Sequence, residues 1–191
     1  MELEYKFLAE GSAPLQPVLC AAHTLGWSVG EPSRCDISDE YWDDEERTAE
    51  KAGLFMRLRS CEGKTLYTEK RGVSQEDGRF AREETEVELT EGTLPEALCV
   101  PGRVPVLRVD HQRDRYELTR GRTEVELAWE SVVYCRNGGV THPEYQLELE
   151  LKSLTGSGAL AALAAAVAGL KGLAPMAESK PQRGLRLTEH F

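Results

Sequence analysis

Residues 2–7, Glu2-Leu3-Glu4-Tyr5-Lys6-Phe7, alternate without a break between charged and apolar side chains. A period of two marks a β-strand, because successive side chains of an extended chain point to opposite faces. One face carries Glu2, Glu4 and Lys6, and the other carries Leu3, Tyr5 and Phe7. The same alternation returns at 54–59, where Phe55, Arg57 and Arg59 oppose Leu54, Met56 and Leu58, and again at 65–71. It recurs at 79–90, with Arg82, Glu84, Glu86 and Glu88 on one side, and near 104–110, 113–119, 122–130 and 144–152. Cys61-Glu62-Gly63-Lys64 reads as a hairpin turn, and Asn137-Gly138-Gly139 as another turn.

Helical spacing is confined to a few places. Leu15, Val18, Leu19, Ala22 and Leu25 predict a helix over 15–25, stopped at Gly26. Thr93 is placed to cap a short helix through Cys99, with Pro95 in its first turn, and an alanine-rich helix is expected over 157–171. Residues 30–50 read as acidic and irregular around Tyr41-Trp42-Asp43-Asp44, and the segment with Pro175, Pro181 and Gly184 as a tail. About eight strands with few helices, and no repeat or linker, predict a single α+β domain over residues 1–191 dominated by antiparallel sheet.

Alternation alone also fits an ordinary half-exposed sheet with its charges in water. Two features favour the opposite orientation. The polar stripes are bare acids and bases, and they are sorted by strand: Glu2 with Glu4, Glu148 with Glu150, Arg57 with Arg59, Arg113 with Arg115. Two arginines two residues apart on one face lie about 7 Å apart and repel by roughly 2 kcal/mol at an effective dielectric of about 20. Such pairs make sense where an anion lies between the arginines and a cation between the glutamates. The predicted fold is therefore an eight-stranded antiparallel barrel or tunnel with a charged lumen, an apolar exterior and helices packed on the outside.

Composition bounds the rest. The chain has 191 residues, 40% hydrophobic and 29% charged, as expected of a globular protein. A net charge of −10 argues against a broad basic face for nucleic acid. Five scattered cysteines without a CxxC pair fit a reducing compartment better than a disulfide framework. The opening Met1-Glu2-Leu3-Glu4 is acidic where a signal peptide is basic, and the apolar run from Ala159 to Leu170 falls short of the roughly 20 residues that span a bilayer. A cytoplasmic protein without membrane or nucleic-acid partners is expected; oligomeric state is left open.

On these residues the chain resembles the CYTH superfamily, the triphosphate tunnel metalloenzymes. The matching elements occur in family order. ExExK stands at Glu2 to Lys6, the tyrosine-aspartate segment at Tyr41 to Asp44, RxR at Arg57 to Arg59, a lysine-bearing strand at Tyr67 to Lys70 and RxExE at Arg82 to Glu86. Arg113 to Tyr116, Glu130, Glu148 to Glu150 and Ser179-Lys180 with Arg183-Gly184 complete the series. Asp44 stands where the family often has threonine, and Glu130 where it commonly has aspartate.

The resemblance implies Glu2, Glu4, Glu148 and Glu150 as ligands of a divalent metal, with Glu130 or Glu86 in addition. Hard oxygen donors favour Mg2+ or Mn2+. It implies Lys6, Arg57, Arg59, Lys70, Arg82, Arg113 and Lys180 as phosphate-binding groups, and Glu2, Glu4 and Lys6 as the catalytic set. The expected activity is metal-dependent hydrolysis of a small polyphosphate, inorganic triphosphate, to diphosphate and phosphate. The alternatives are a class IV adenylate cyclase, a thiamine triphosphatase using Trp27, Trp42 or Trp129 as an aromatic platform, or a non-catalytic polyphosphate- or nucleotide-binding module. The histidines show no ligand or triad spacing, and His23 reads as structural.

Overall fold

A computed structural model describes residues 2–76 and 78–191, without the side chains of residues 73–76. The opening alternation is strand β1 (Glu2–Ala9), which pairs antiparallel with β6 (Arg79–Leu89) on one side and β10 (Glu144–Leu151) on the other. Its register sets Glu4 opposite Glu150, Lys6 opposite Glu148 and Glu2 opposite Arg82. The remaining wall strands are β3 (Ser33–Asp43), β4 (Leu54–Cys61), β5 (Lys64–Glu76), β7 (Val104–Arg120) and β8 (Thr123–Arg136). They run in the order β7-β3-β4-β5-β6-β1-β10-β8, and the β7–β8 pairing closes the ring into an eight-stranded antiparallel barrel. Short strands β2 (Ser28–Val29), β9 (Gly139–Val140) and β11 (Leu173–Pro175) add to β7, β8 and β1.

The apolar faces point outward, as the alternation requires once the charges are inside. Phe7, Leu127, Leu147 and Leu149 are buried beneath helices α1 (Leu15–Thr24) and α3 (Ser157–Ala168). The first contributes Val18 and Ala22; the second contributes Leu160, Leu163, Ala164 and Val167, one stripe of an i, i+3, i+4, i+7 pattern. Each leucine removed from water here stabilises the fold by about 1.5–3 kcal/mol. Helix α1 ends at Leu25 and the chain turns at Gly26, whose φ of 78° suits glycine. No helix among the described residues is long and apolar enough to cross a membrane.

One end of the barrel is apolar inside as well. Tyr41, Leu107, Val109, Val132 and Tyr134 cluster around Leu185 of helix α4 (Lys180–Leu187). Its first turn carries Pro181, and the Gln182 side chain accepts a hydrogen bond from the Ser179 N–H at 3.0 Å. Gly184 permits the close approach: a Cβ there would stand 2.5 Å from Tyr134 Cδ1 and 2.6 Å from Leu107 Cδ2. Arg183 latches the helix to Glu144 with bonds of 2.7 and 2.9 Å.

The fold corrects four local expectations. The stretch read as irregular contains β3, an 11-residue strand. Its inward stripe, Cys35-Ile37-Asp39-Tyr41, mixes thiol, aliphatic, acid and aromatic groups, so no polarity period shows. The two expected strands at 104–110 and 113–119 are one 17-residue strand, β7, whose inner stripe changes from Leu107 and Val109 to His111 and Arg113 midway. Between Thr93 and Cys99 only a 3-10 turn forms, at Glu96–Leu98, and the Thr93 hydroxyl bonds the Thr90 carbonyl instead of capping it. The expected tail holds β11 and α4. A short helix α2 (Thr48–Lys51) was also not anticipated; Asp43 holds it, accepting from the N–H groups of Ala49 and Glu50 at 3.0 and 2.9 Å.

Candidate active site

The charged stripes enclose a cavity of about 380 Å³. The strand period puts these side chains on one face of the wall strands, α4 delivers Lys180, and barrel closure brings them face to face. Glu2, Glu4, Lys6, Arg57, Arg59, Lys70, Arg82, Glu86, Arg113, Glu148, Glu150 and Lys180 all line it. Of the expected site residues, Glu130 alone stands apart, fully buried beneath the lining.

On one wall, the Lys6 ammonium lies 3.0 Å from Glu4 and bonds Glu148. Burial pushes the Lys6 ammonium down, but Glu148 and Glu4 outweigh it and hold the pKa above the usual lysine range. Lys180, delivered by the start of α4, reaches both Glu148 and Glu130, the latter at 2.6 Å. Arg82 sits 4.4 Å over the Phe80 ring centroid and 3.5 Å from Glu4. On the opposite wall, Arg59 forks onto Asp39 with bonds of 2.7 and 2.8 Å, and Arg57 donates to Thr68 at 3.0 Å. Lys70 contacts Glu2 at 3.0 Å and Glu84 at 3.1 Å.

Asp39, Glu130 and Glu148 are buried carboxylates. Burial alone would raise their pKa values. Arg57 and Arg59 beside Asp39, Arg113 and Lys180 beside Glu130, and Lys180 and Lys6 beside Glu148 instead hold all three well below the ordinary range. Glu150 goes the other way: burial, with Glu2 and Glu126 nearby, raises it against the pull of Lys152. The depressed groups bind fewer protons folded than unfolded. Their stabilisation is therefore complete above the unfolded values near 4 and is lost as pH falls through the folded ones. Glu150 contributes the opposite slope. With three groups against one, the melting temperature is expected to hold between pH 8 and 5 and to fall steeply below about pH 4. Calorimetry across that range checks this, and a melting temperature that rises on acidification would contradict it.

Sequence reading missed Asp39 and His111. The His111 ring is fully buried, with Nδ1 3.0 Å from Glu130 and Nε2 3.2 Å from Asp39. Continuing the alternation through residues 107–115 would have placed His111 on the face of Arg113; spacing among histidines could not. Arg115, a neighbour of Arg113, is about half exposed at the rim, and Glu86 also stands at the open side, 3.6 Å from Arg57. The tryptophans offer no platform: Trp27 and Trp129 are buried in the outer core, and Trp42 packs in the cluster around Met56.

A divalent cation fits this donor set. Glu2, Glu4, Glu148 and Glu150 share one wall, and Glu4 Oε1 is buried without a hydrogen bond. Among the described residues no three acidic, histidine or cysteine side chains already converge as a closed metal shell.

A closed antiparallel barrel with its charges inside, cations facing acids across a lumen stoppered at one end, defines a tunnel protein. The chain belongs to the CYTH domain family, which it matches over residues 1–184, and CYTH proteins act on small triphosphate substrates. Its fold is similar to that of a Hippeastrum protein named for the adenylyl cyclases and described as having a dominant triphosphatase activity. That likeness has a TM-score of 0.67 at 16% identity, covering 100% of this chain and 97% of the other. A Pyrococcus horikoshii OT3 protein is matched with a TM-score of 0.64 at 20% identity over 100% of both chains. A Bacillus halodurans protein assigned by name to the adenylate cyclases is matched with a TM-score of 0.58 at 16% identity over 96% of each. At these identities the likeness is one of fold. No curated protein sequence matches the chain.

Proposed function

We propose that the tunnel hydrolyses inorganic triphosphate to diphosphate and phosphate with Mg2+ or Mn2+. The observation that carries this reading is the convergence of Lys6, Arg57, Arg59, Lys70, Arg82, Arg113 and Lys180 on one small cavity. A triphosphate carries several negative charges at neutral pH, and arginine forks grip phosphate oxygens in pairs. The family to which the chain belongs, and the triphosphatase activity described for the Hippeastrum protein, support the reaction class. The lining supports the bare substrate, since its aromatic residues are only Tyr41 and Phe55 among the described residues.

In this reading Glu2, Glu4, Glu148 and Glu150 hold the cation, which when bound neutralises phosphate charge and makes water a better nucleophile. Arg57, Arg59 and Arg113 orient the chain of phosphates. Lys6 and Lys180 neutralise the charge that grows on the oxygen leaving with diphosphate. Water oxygen bonds the terminal phosphorus, the bridging P–O bond breaks, and in this reading Glu4, whose Oε1 accepts no hydrogen bond and lies 3.5 Å from Arg82, takes the water proton. Rate acceleration comes from position and charge, with no covalent intermediate.

The test is a phosphate-release panel of triphosphate, longer polyphosphate, thiamine triphosphate and ATP, each with Mg2+ and with Mn2+. Triphosphate is expected to turn over fastest. Cyclic AMP and diphosphate from ATP would replace the proposal with a cyclase, and tight binding without phosphate release would replace it with a binding module.

A further inference from the structure

The ion pairs of the lumen fall into two sets. One set gathers Arg57 and Arg59 around Asp39 and continues to Glu84, Lys70 and Glu2. The other gathers Arg113 and Lys180 around Glu130 and continues through Glu148 to Lys6 and Glu4. Among the described residues a single side chain joins them. His111 places one ring nitrogen on Asp39 and the other on Glu130, with no exposure at any of the three. It lies on β7, which pairs with β3 and β8, so the ring sits between the strands that carry its two partners.

We infer that His111 is a positioning residue: the Asp39–His111–Glu130 bridge is a rigid strut beneath the tunnel floor that sets the spacing of the Arg59 and Arg113 guanidiniums. The inference rests on the reading of the tunnel as a triphosphate site. Asp39 fixes Arg59 through two bonds, and Glu130 fixes Arg113 through a bond of 2.5 Å. Buried polar networks of this kind rigidify what they touch, because any displacement leaves a buried charge without a partner. A phosphate chain gripped from two walls needs its cations at one separation, so a changed spacing weakens the grip of the arginine forks on the bound phosphates.

The strut has consequences that mere core filling lacks. His111→Gln keeps a polar group near Asp39 and His111→Asn one near Glu130, and neither spans both. Each variant is expected to raise the KM for inorganic triphosphate by about 10- to 100-fold while changing kcat far less. The conservative replacements Arg59→Lys and Arg113→Lys are expected to act non-additively on triphosphate affinity in the unaltered protein and to multiply independently once His111 is Gln or Asn. An unchanged KM, or arginine coupling that survives in both variants, overturns the strut. If neither variant folds, the unaltered protein still decides. A crystal structure of the unaltered protein is expected to hold Nδ1 of His111 near 3.0 Å from Glu130 and Nε2 near 3.2 Å from Asp39, and a ring turned away from either carboxylate overturns the bridge. Failure of the unaltered protein to bind inorganic triphosphate by calorimetry would instead sink the substrate reading, and the crystal structure separates the two.

Discussion

Glu4→Gln is expected to lower triphosphate turnover by roughly a hundredfold to a thousandfold, the range seen when one preorganised electrostatic partner is removed from a transition state. The side chain is buried; its Oε2 lies 3.0 Å from Lys6 and its Oε1 has no hydrogen bond. Glutamine has the same shape, so packing against Lys6 and Arg82 is retained and the melting temperature should move little. What is lost is the negative charge that holds a cation and the basic oxygen that takes a proton. The loss should therefore appear in kcat, with triphosphate binding preserved. Rates, binding calorimetry and melting curves on the same preparation check all three. An undiminished rate in a folded variant would sink the assignment of Glu4.

Glu130→Ala is expected to have the largest effect on stability. The carboxylate has no solvent exposure and meets Arg113 at 2.5 Å, Lys180 at 2.6 Å and His111 at 3.0 Å. Removing it leaves buried cations without their counter-ion. Breaking a buried pair from one side costs about 3–5 kcal/mol, far more than the pair contributes when both partners are exchanged together. For a chain of this size that is a fall of roughly 6–20 °C in melting temperature. Glu88→Ala provides the contrast. Glu88 pairs with Lys64 at 3.0 Å on the surface, where both side chains are more than half exposed, and such pairs are worth about 0–1 kcal/mol. Calorimetry of both variants checks the comparison; equal melting temperatures would mean that Glu130 is not the counter-ion the geometry makes it.

Most of the lumen was legible residue by residue. Over residues 2–7 of β1, 56–59 of β4 and 144–151 of β10 the alternation is uninterrupted, so the shared faces of Glu4 with Lys6, Arg57 with Arg59 and Glu148 with Glu150 followed from the strand period alone. The sorting of like charges by strand turned those faces inward, and the structure places them there. Where the inner stripe changes polarity along a strand, the period disappears from view. That is why β3 read as irregular and β7 as two strands, and why Asp39 and His111, which lie on them, went unnoticed. Glu130 illustrates a different limit. Its strand face was readable, but its burial was not. Being under the floor instead of in the cavity depends on Lys180, which comes from a helix 50 positions later and shares no local pattern with it.

What the sequence by itself determined is the strand period, the inward charge and the outward apolar faces on which α1 and α3 pack. Each follows from side-chain alternation over a few residues. What only the tertiary structure decided is the opening observation's counterpart across the lumen: which acid meets which base. Pairing of β7 with β3 and docking of α4 bring His111 to Asp39 and Lys180 to Glu148, pairs 72 and 32 residues apart. Such partners are selected by register and burial, where an unpaired charge is too costly to persist, and neither register nor burial is written in local spacing.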